Sequence, residues 1–139
     1  MNYSIKKLDI TEENLQKIKS LYKSCHWDWP NSDKEMLESF SNSFCLVGCF
    51  VDDKIVSFGR AVSDGSIYAF IVDVMVLPSF RKNGIATSLI QELVKELKSK
   101  NIKVIQLLSS KEGKALYLKV GFTACNQDAP GMILFPQSL

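Results

Sequence analysis

Hydrophobic and polar positions follow two different periods along the chain, and this pattern predicts where its strands and helices lie. Residues 72–77 are mostly β-branched or apolar, which is typical of a buried strand. Pro78 ends this strand because proline cannot donate to a ladder. From Ala86 onward, apolar residues recur every three or four positions and predict one face of an amphipathic helix. These residues are Ala86, Leu89, Ile90, Leu93, Val94 and Leu97.

The same pattern predicts the other elements. Strands are expected over residues 3–8, 44–51, 54–62, 67–77, 102–108, 122–124 and 132–135. Further helices are expected after the cap Thr11, after the capping box of Ser32 and Glu35, and after the cap Ser110, with Gly121 ending the last one. The resulting order is β-α-α-β-β-β-α-β-α-β-β, in which the strand after the long helix returns beside the central strand.

The segment Arg81-x-x-Gly84-x-Ala86 connects the central strand to the long helix. A glycine at this place favours a turn of backbone N–H groups at a helix N-terminus, which binds anions and fits a diphosphate best. The alternative is that Gly84 only forms a turn while Arg81 and Lys82 are solvated charges. A Walker loop is excluded because Ile85 and Ala86 follow Gly84, and a dinucleotide fingerprint is excluded because it needs a third glycine.

Length and charge narrow the classes of function. The 139 residues predict one domain, residues 1–139, with a core of its own. A net charge of +2, with only Arg60 and Arg81 as arginines, argues against nucleic acid or an anionic membrane as a partner. No apolar run has the length of a membrane helix, and the first residues lack the apolar core of a signal peptide. A cytoplasmic location is therefore expected.

The four cysteines, Cys25, Cys45, Cys49 and Cys125, form no Cys-x-x-Cys pair, and His26 is the one histidine. This inventory argues against a zinc site, so no metal is expected. Cys45 and Cys49 flank an apolar strand on one face and are interpreted as small core residues rather than redox groups.

Val76, Pro78, Arg81, Gly84 and Ala86 together fit the pattern Val-x-Pro-x-x-Arg/Gln-x-x-Gly-x-Gly/Ala between a strand and a helix. In this the chain resembles motif A of the GNAT superfamily of N-acetyltransferases. The resemblance implies an α/β fold with a mixed sheet and helices on both faces, and acetyl-CoA (CoA) as co-substrate. The cofactor-binding residues that it implies here are Val74, Met75, Val76, Arg81, Lys82, Asn83, Gly84, Ile85, Ala86 and Thr87.

A second segment, Tyr117-x-Lys119-x-Gly121-Phe122, is similar to the family's Tyr-x-Lys-x-Gly-Phe. In many members this tyrosine lies by the sulfur of CoA and acts as general acid, so Tyr117 is expected to protonate the leaving thiolate. The alternative is that Tyr117 packs on the sheet with its hydroxyl satisfied. Ser110 and Gly113 stand where the family often has Asn and Ala, and both are expected to line the cofactor site.

Two groups are candidates for the acceptor side. Asp73 is the one acid of the central strand, where burial needs a partner or a cleft. It is either a base or ammonium anchor, or else a partner for Arg60 or for backbone on the neighbouring strand. Trp27, Asp28 and Trp29 lie between the first two helices, a segment that borders the acceptor site in the family. They suit an amine through ring contact and cation–π attraction, or else the tryptophans fill the core.

These expectations combine into one function. The chain is expected to transfer acetyl from acetyl-CoA to the primary amine of a small molecule or peptide, by direct attack in a ternary complex. The alternative is a module that senses acyl-CoA without turnover. Neither nucleic acid nor a membrane is expected as a partner, and a homodimer stays open.

Overall fold

The computed structural model of the protein describes residues 2–27 and 31–136. The chain divides into two compact units, Met1–Leu107 and Leu108–Leu139, and each is treated separately below. The expectation that residues 1–139 form a single domain stays a prediction.

The first unit contains a mixed sheet whose strands follow one another in chain order. They are β1 Ser4–Lys7, β2 Cys45–Val51, β3 Lys54–Ser63, β4 Tyr68–Val76 and β5 Val104–Leu107. Neighbours in the sheet are antiparallel up to β4, and β5 then pairs with β4 in parallel. A parallel pair needs a long connection, which here contains the long helix. The predicted mixed α/β sheet and the return of a strand beside the central one are confirmed.

The α-helices among the described residues of this unit are α1 Glu12–Ser24, α2 Asp33–Ser41 and α3 Ile85–Ser99. The caps predicted for the first two are confirmed. Thr11 accepts a hydrogen bond from the N–H of Asn14, and Ser32 and Glu35 form a complete capping box. Each cap satisfies N–H groups that the first helical turn leaves without a partner.

Helices cover both faces of the sheet, and β3 separates them. A Cβ at Gly59 would lie 3.0 Å from Leu93 and 3.1 Å from Leu89, so this position allows α3 to approach one face closely. Phe58 points to the opposite face, where its ring lies 5.6 Å from that of Phe40 in α2. Phe40 and Phe58 are fully buried. This second face therefore holds a closely packed aromatic core beneath α1 and α2.

Cys45 and Cys49 are both buried in β2, as their interpretation as core residues predicted. Burial raises the pKa of Cys45 to about 11, so its thiol stays protonated at neutral pH. Both cysteines act here as small packing residues.

The second unit contains the helix α4, Lys114–Val120. The prediction that Ser110 caps this helix is wrong, because Gly113 holds the cap position. Ser110 Oγ instead accepts a hydrogen bond of 3.1 Å from the N–H of Gly113 and closes a separate turn before the helix. The predicted end is confirmed, since Gly121 terminates α4 with φ of 115°.

The two predicted closing strands are also wrong. Residues 122–124 and 132–135 are described, and none of them lies in a strand. The second segment, Met132-Ile133-Leu134-Phe135, is exposed along its whole length. An apolar run indicates only that a segment could lie in a sheet, whereas a strand also needs a hydrogen-bonded neighbour.

In the part of the chain that the structure describes, none of the helices is both long and apolar enough to cross a bilayer. The cytoplasmic location stays a prediction.

Candidate active site

The loop between β4 and α3 places backbone donors at the start of a helix. After β4, Pro78–Phe80 form a short 3-10 helix, and the chain then turns through Lys82 and Gly84 with φ of 64° and 77°. Both residues are in the left-handed region, which glycine adopts without strain. Gly84 directly precedes α3 and is its N-cap.

Gly84 has open space on the side where a side chain would stand. A Cβ added there would meet no heavy atom of the described residues within 4 Å. The left-handed φ, and not crowding by neighbours, therefore explains why this residue is a glycine. The surrounding space leaves room for a ligand to approach the backbone.

The first turn of α3 is able to receive an anion. Its residues Ile85, Ala86 and Thr87 are uncharged, and their N–H groups precede the first intrahelical hydrogen bond, from Ser88 to the Gly84 carbonyl. The helix dipole and these donors together favour a negative group at this end. Arg81, Lys82 and Asn83 are exposed beside it. The donor set thus fits the diphosphate of CoA.

The loop is held in shape by two of its own side chains. Asn83 Nδ2 donates to the carbonyls of Phe80 and Arg81, both at 3.2 Å. Arg81 Nε donates to the Val76 carbonyl at 3.2 Å, so part of its guanidinium serves the strand end. The sequence predicted both residues as cofactor-binding and did not predict these structural bonds.

Cys25 is a neighbour of this loop to which the sequence analysis assigned no role. Its thiol donates to the same Val76 carbonyl, with 3.4 Å between the sulfur and the oxygen. Burial raises the pKa of Cys25, and the charge of Arg81 opposes that rise. A protonated thiol at this position acts as a hydrogen-bond donor to the end of β4.

A β-bulge interrupts β4 where the predicted cofactor residues begin. Phe58 pairs with Met75 and Arg60 with Val72, so Asp73 and Val74 together oppose the single residue between Phe58 and Arg60. Asp73 has φ of 57°, which is uncommon for a residue other than glycine. Bulges redirect the backbone and are frequent beside active sites. The apolar pattern of the strand contained no sign of this bulge apart from the acid itself.

Asp73 forms an ion pair with Arg60. Asp73 Oδ2 lies 2.7 Å from Arg60 Nε, and the two side chains are only 10% and 9% exposed. Arg60 also donates from Nη1 to Ser43 Oγ at 3.0 Å, and its Cζ lies 4.8 Å from the Phe40 ring centroid. This is the partner that the structural alternative for Asp73 required. Whether Asp73 takes part in proton transfer stays a prediction.

Tyr22 lies near the Arg60–Asp73 ion pair, and Trp27 lies next to Tyr22 towards the surface. Burial, with a further contribution from the charge of Asp73, raises the pKa of the Tyr22 hydroxyl. The ring of Tyr22 lies 5.8 Å from that of Trp27, which is 39% exposed. An indole so exposed does not fill the core. Asp28 and Trp29, the other residues predicted for the acceptor, lie outside the described residues.

The second unit contains the remaining predicted site residues. Tyr117 lies on α4, its ring packs edge-on at 5.9 Å from Phe122, and burial raises its pKa. A Cβ at Gly113 would lie 3.0 Å from the Tyr117 ring and 3.2 Å from Ser110 Oγ. The three predicted residues of this unit are therefore close neighbours, and glycine at 113 leaves space for the phenol ring.

The structure thus brings the predicted residues together in two sets. The first is the stretch from Asp73 to Thr87, continuous through bulge, strand end, loop and helix start. The second is Ser110, Gly113 and Tyr117. Across residues 2–27 and 31–136, no group of three or more His, Cys, Asp or Glu side chains is placed to hold a metal ion.

Solved structures resemble the fold along nearly its whole length. A GNAT family acetyltransferase from Streptococcus pneumoniae has a TM-score of 0.79 and 27% identity, covering 96% of this chain and 98% of its own. A predicted acetyltransferase from Clostridium acetobutylicum, solved with acetyl-CoA, has a TM-score of 0.72 and 23% identity, with 99% of each chain covered. The second likeness shows the fold alone.

Sequence comparison gives the same family. The uncharacterized N-acetyltransferase ycf52 of Pyropia yezoensis is 27% identical over 128 residues, which are 89% of this chain and 73% of the relative. The model of the Acetyltransferase (GNAT) family matches residues 15–122, a range that includes the bulge, the loop between β4 and α3, and Tyr117. The chain therefore belongs to the GNAT family of acetyltransferases.

Proposed function

We propose that the protein transfers the acetyl group of acetyl-CoA to a primary amine by direct attack in a ternary complex. The observation that carries this proposal is the start of α3, where a left-handed Gly84 is followed by an uncharged first turn with Arg81 and Lys82 beside it. Such an end suits a diphosphate, and membership in the family supports CoA as the ligand that brings one.

In the first unit, two groups of backbone atoms would hold the co-substrate. The N–H groups of residues 85–87 would bind the diphosphate, and the backbone of Val74, Met75 and Val76 would accompany the pantetheine arm. In the second unit, Ser110 and Gly113 stay predicted cofactor-binding residues. Acetyl-CoA supplies the activated acetyl group as a thioester, so the chain itself needs no covalent nucleophile.

Tyr117 is the proposed general acid, which would donate its phenolic proton to the thiolate that leaves. Burial raises its pKa above the ordinary value of 10.0, so the phenol is protonated at neutral pH, as a donor must be. Tyr117→Phe keeps the ring and its contact with Phe122 and removes the proton. Turnover should fall by roughly 10²-fold while acetyl-CoA affinity survives.

The pH profile separates this role from packing. A general acid loses activity as pH rises through its pKa, so the wild type should lose turnover on the alkaline side and Tyr117→Phe should lack that limb. Unchanged turnover in Tyr117→Phe would make Tyr117 a packing residue.

The proposed acceptor binds beside the segment after α1. The exposed ring of Trp27 supports contact with an amine through its face. Trp27→Ala should then raise the amine KM and leave the acetyl-CoA affinity unchanged. A loss of stability with an unchanged KM would contradict this placement.

The function is tested by a panel of primary amines incubated with acetyl-CoA, with release of free thiol as the signal. The panel should contain polyamines, amino acids, aminoglycosides and peptides with free N-termini. Amine-dependent thiol release, strongly reduced by Gly84→Asp at limiting acetyl-CoA, is the expected result. Tight binding of acetyl-CoA with no amine-dependent release across the panel would instead favour a module that senses acyl-CoA.

A further inference from the structure

We propose that Arg60 and Asp73 form one positioning unit, whose ion pair holds the β4 bulge and so aligns the backbone of residues 74–76 for acetyl-CoA. The inference rests on the proposed function, which assigns acetyl-CoA to those residues. It gives Asp73 a role through the strand rather than through proton transfer.

The bulge needs something to hold it. Asp73 is in the left-handed region with φ of 57°, and an L-residue there tends to relax towards the extended strand. If it relaxed, the strand would return to regular pairing, and every later residue would shift by one position to the opposite face. Val74, Met75 and Val76 are the residues that such a slip would displace first.

The side chain of Asp73 supplies that hold through Arg60. The pair spans the bulge, since Arg60 belongs to β3 and Asp73 to β4, and the two atoms are 2.7 Å apart. Arg60 cannot follow a moving Asp73, because Ser43 binds its Nη1 at 3.0 Å and the Phe40 ring lies against its guanidinium. The pair therefore connects the bulge to two residues outside the sheet, Phe40 in α2 and Ser43 just after it.

Near-complete burial makes the two charges depend on each other. At 9% and 10% exposure, neither side chain has enough water around it to replace its partner. Removing one charge leaves the other buried and uncompensated, whereas removing both leaves neutral groups in their place. If the ion pair positions the strand, either single substitution should therefore lower both the stability and the use of acetyl-CoA. The double substitution should partly restore both.

The test is a double-mutant cycle of Arg60→Met, Asp73→Asn and the double variant. Asn is chosen because it tolerates the left-handed region, so the backbone preference at 73 is kept. Each single variant should lower the Tm by roughly 10 °C. Well below the Tm, each should also reduce kcat/KM for acetyl-CoA by roughly 10- to 100-fold, as expected for a displaced strand. The double variant should recover much of both losses.

A base at Asp73 would give a different pattern. The double variant would then be as inactive as Asp73→Asn, the acetyl-CoA affinity of both would match the wild type, and the acidic limb of the pH profile would disappear in both. This pattern would overturn the proposal, as would a fall in Tm with unchanged kcat and acetyl-CoA affinity, which describes a purely structural pair.

The Lys7–Glu96 pair is the matched control. Its atoms are 3.3 Å apart but its side chains are 55% and 20% exposed, so the same cycle with Lys7→Met and Glu96→Gln should change the Tm little and acetyl-CoA binding not at all. A wild type that fails to bind acetyl-CoA would overturn the proposed function together with this inference. A wild type that binds, with variants that show no coupling, would overturn the inference alone.

Discussion

The N-termini of α1 and α2 are closed by their own side chains, whereas that of α3 is open. Thr11 and Ser32 cap the first two, and their first turns contain the acids Glu12, Glu13, Asp33 and Glu35. Gly84 opens α3 without a side chain, and the turn that follows is uncharged. Caps and acids each stabilise a helix by about 0.3–2 kcal/mol, and α3 lacks both.

The difference shows that a helix can use its first N–H groups in two ways. In α1 and α2 those donors stabilise the fold, and in α3 the same donors stay available to an anion. Functional sites are the places where proteins commonly depart from such local rules for stability. The long apolar face of α3, buried on the sheet, compensates for the missing cap.

Gly84→Asp should break this comparison most strongly. A carboxylate would then face the proposed diphosphate and compete for the same N–H groups, so acetyl-CoA affinity should fall by roughly 100-fold. The readout is the rise in Tm at increasing acetyl-CoA, which amounts to about 2.7 kcal/mol of stabilisation at 100 times Kd in the wild type.

Gly65→Asp is its control, because Gly65 also has a left-handed φ, of 80°, but lies in the turn before β4. It should show the same backbone strain and an unchanged response to acetyl-CoA. Equal loss of the response in both variants would point to damage to the fold instead of the site.

Thr87→Glu should sharpen the comparison by making α3 resemble α2. Thr87 holds the third position after the cap, which is the position of Glu35 in α2. A carboxylate there should stabilise the helix by roughly 0.3–1 kcal/mol through the dipole. It should also weaken acetyl-CoA binding about tenfold by repulsion of the diphosphate.

The two measurements, thermal unfolding and an acetyl-CoA titration, should therefore move in opposite directions. The reverse change, Glu35→Thr, should lower stability slightly and leave the titration unchanged. Tighter binding of acetyl-CoA to Thr87→Glu would contradict the proposal that the uncapped N-terminus of α3 binds the diphosphate.

Ser32→Ala should give the smallest effect. It removes the hydroxyl half of the capping box, and the free energy of unfolding should fall by about 1 kcal/mol. The Tm should then fall by about 4 °C. The acetyl-CoA affinity should match the wild type, and a change there would mean that α2 contributes to the cofactor site.

The sequence predicted the parts of the fold that local chemistry decides. A helix cap or a helix end depends on the side chain or backbone preference of one or two residues, so it could be predicted from the sequence. This holds for the caps at Thr11 and Ser32, the start of α3 after Gly84 and the end of α4 at Gly121. The β4 bulge could not, because it depends on how two strands pair rather than on either strand alone.

Errors in the second unit have the same origin. Ser110 makes the hydrogen bond expected of a cap, but to a turn that precedes the helix. Residues 132–135 have the composition of a strand without a paired neighbour. In the candidate site, Arg60 was named only as an alternative partner for Asp73, and the contacts that hold it from Ser43 and Phe40 come from distant parts of the chain.

The central claim is that the backbone N–H groups at the open end of α3 bind the diphosphate of CoA. The most direct test is a titration of the nitrogen-15-labelled protein with CoA, followed by amide chemical shifts. The account predicts that amides of residues 84–87 are among those that shift most, while those in the first turns of α1 and α2 stay in place. Binding of CoA with the amides of residues 84–87 unmoved would contradict the account.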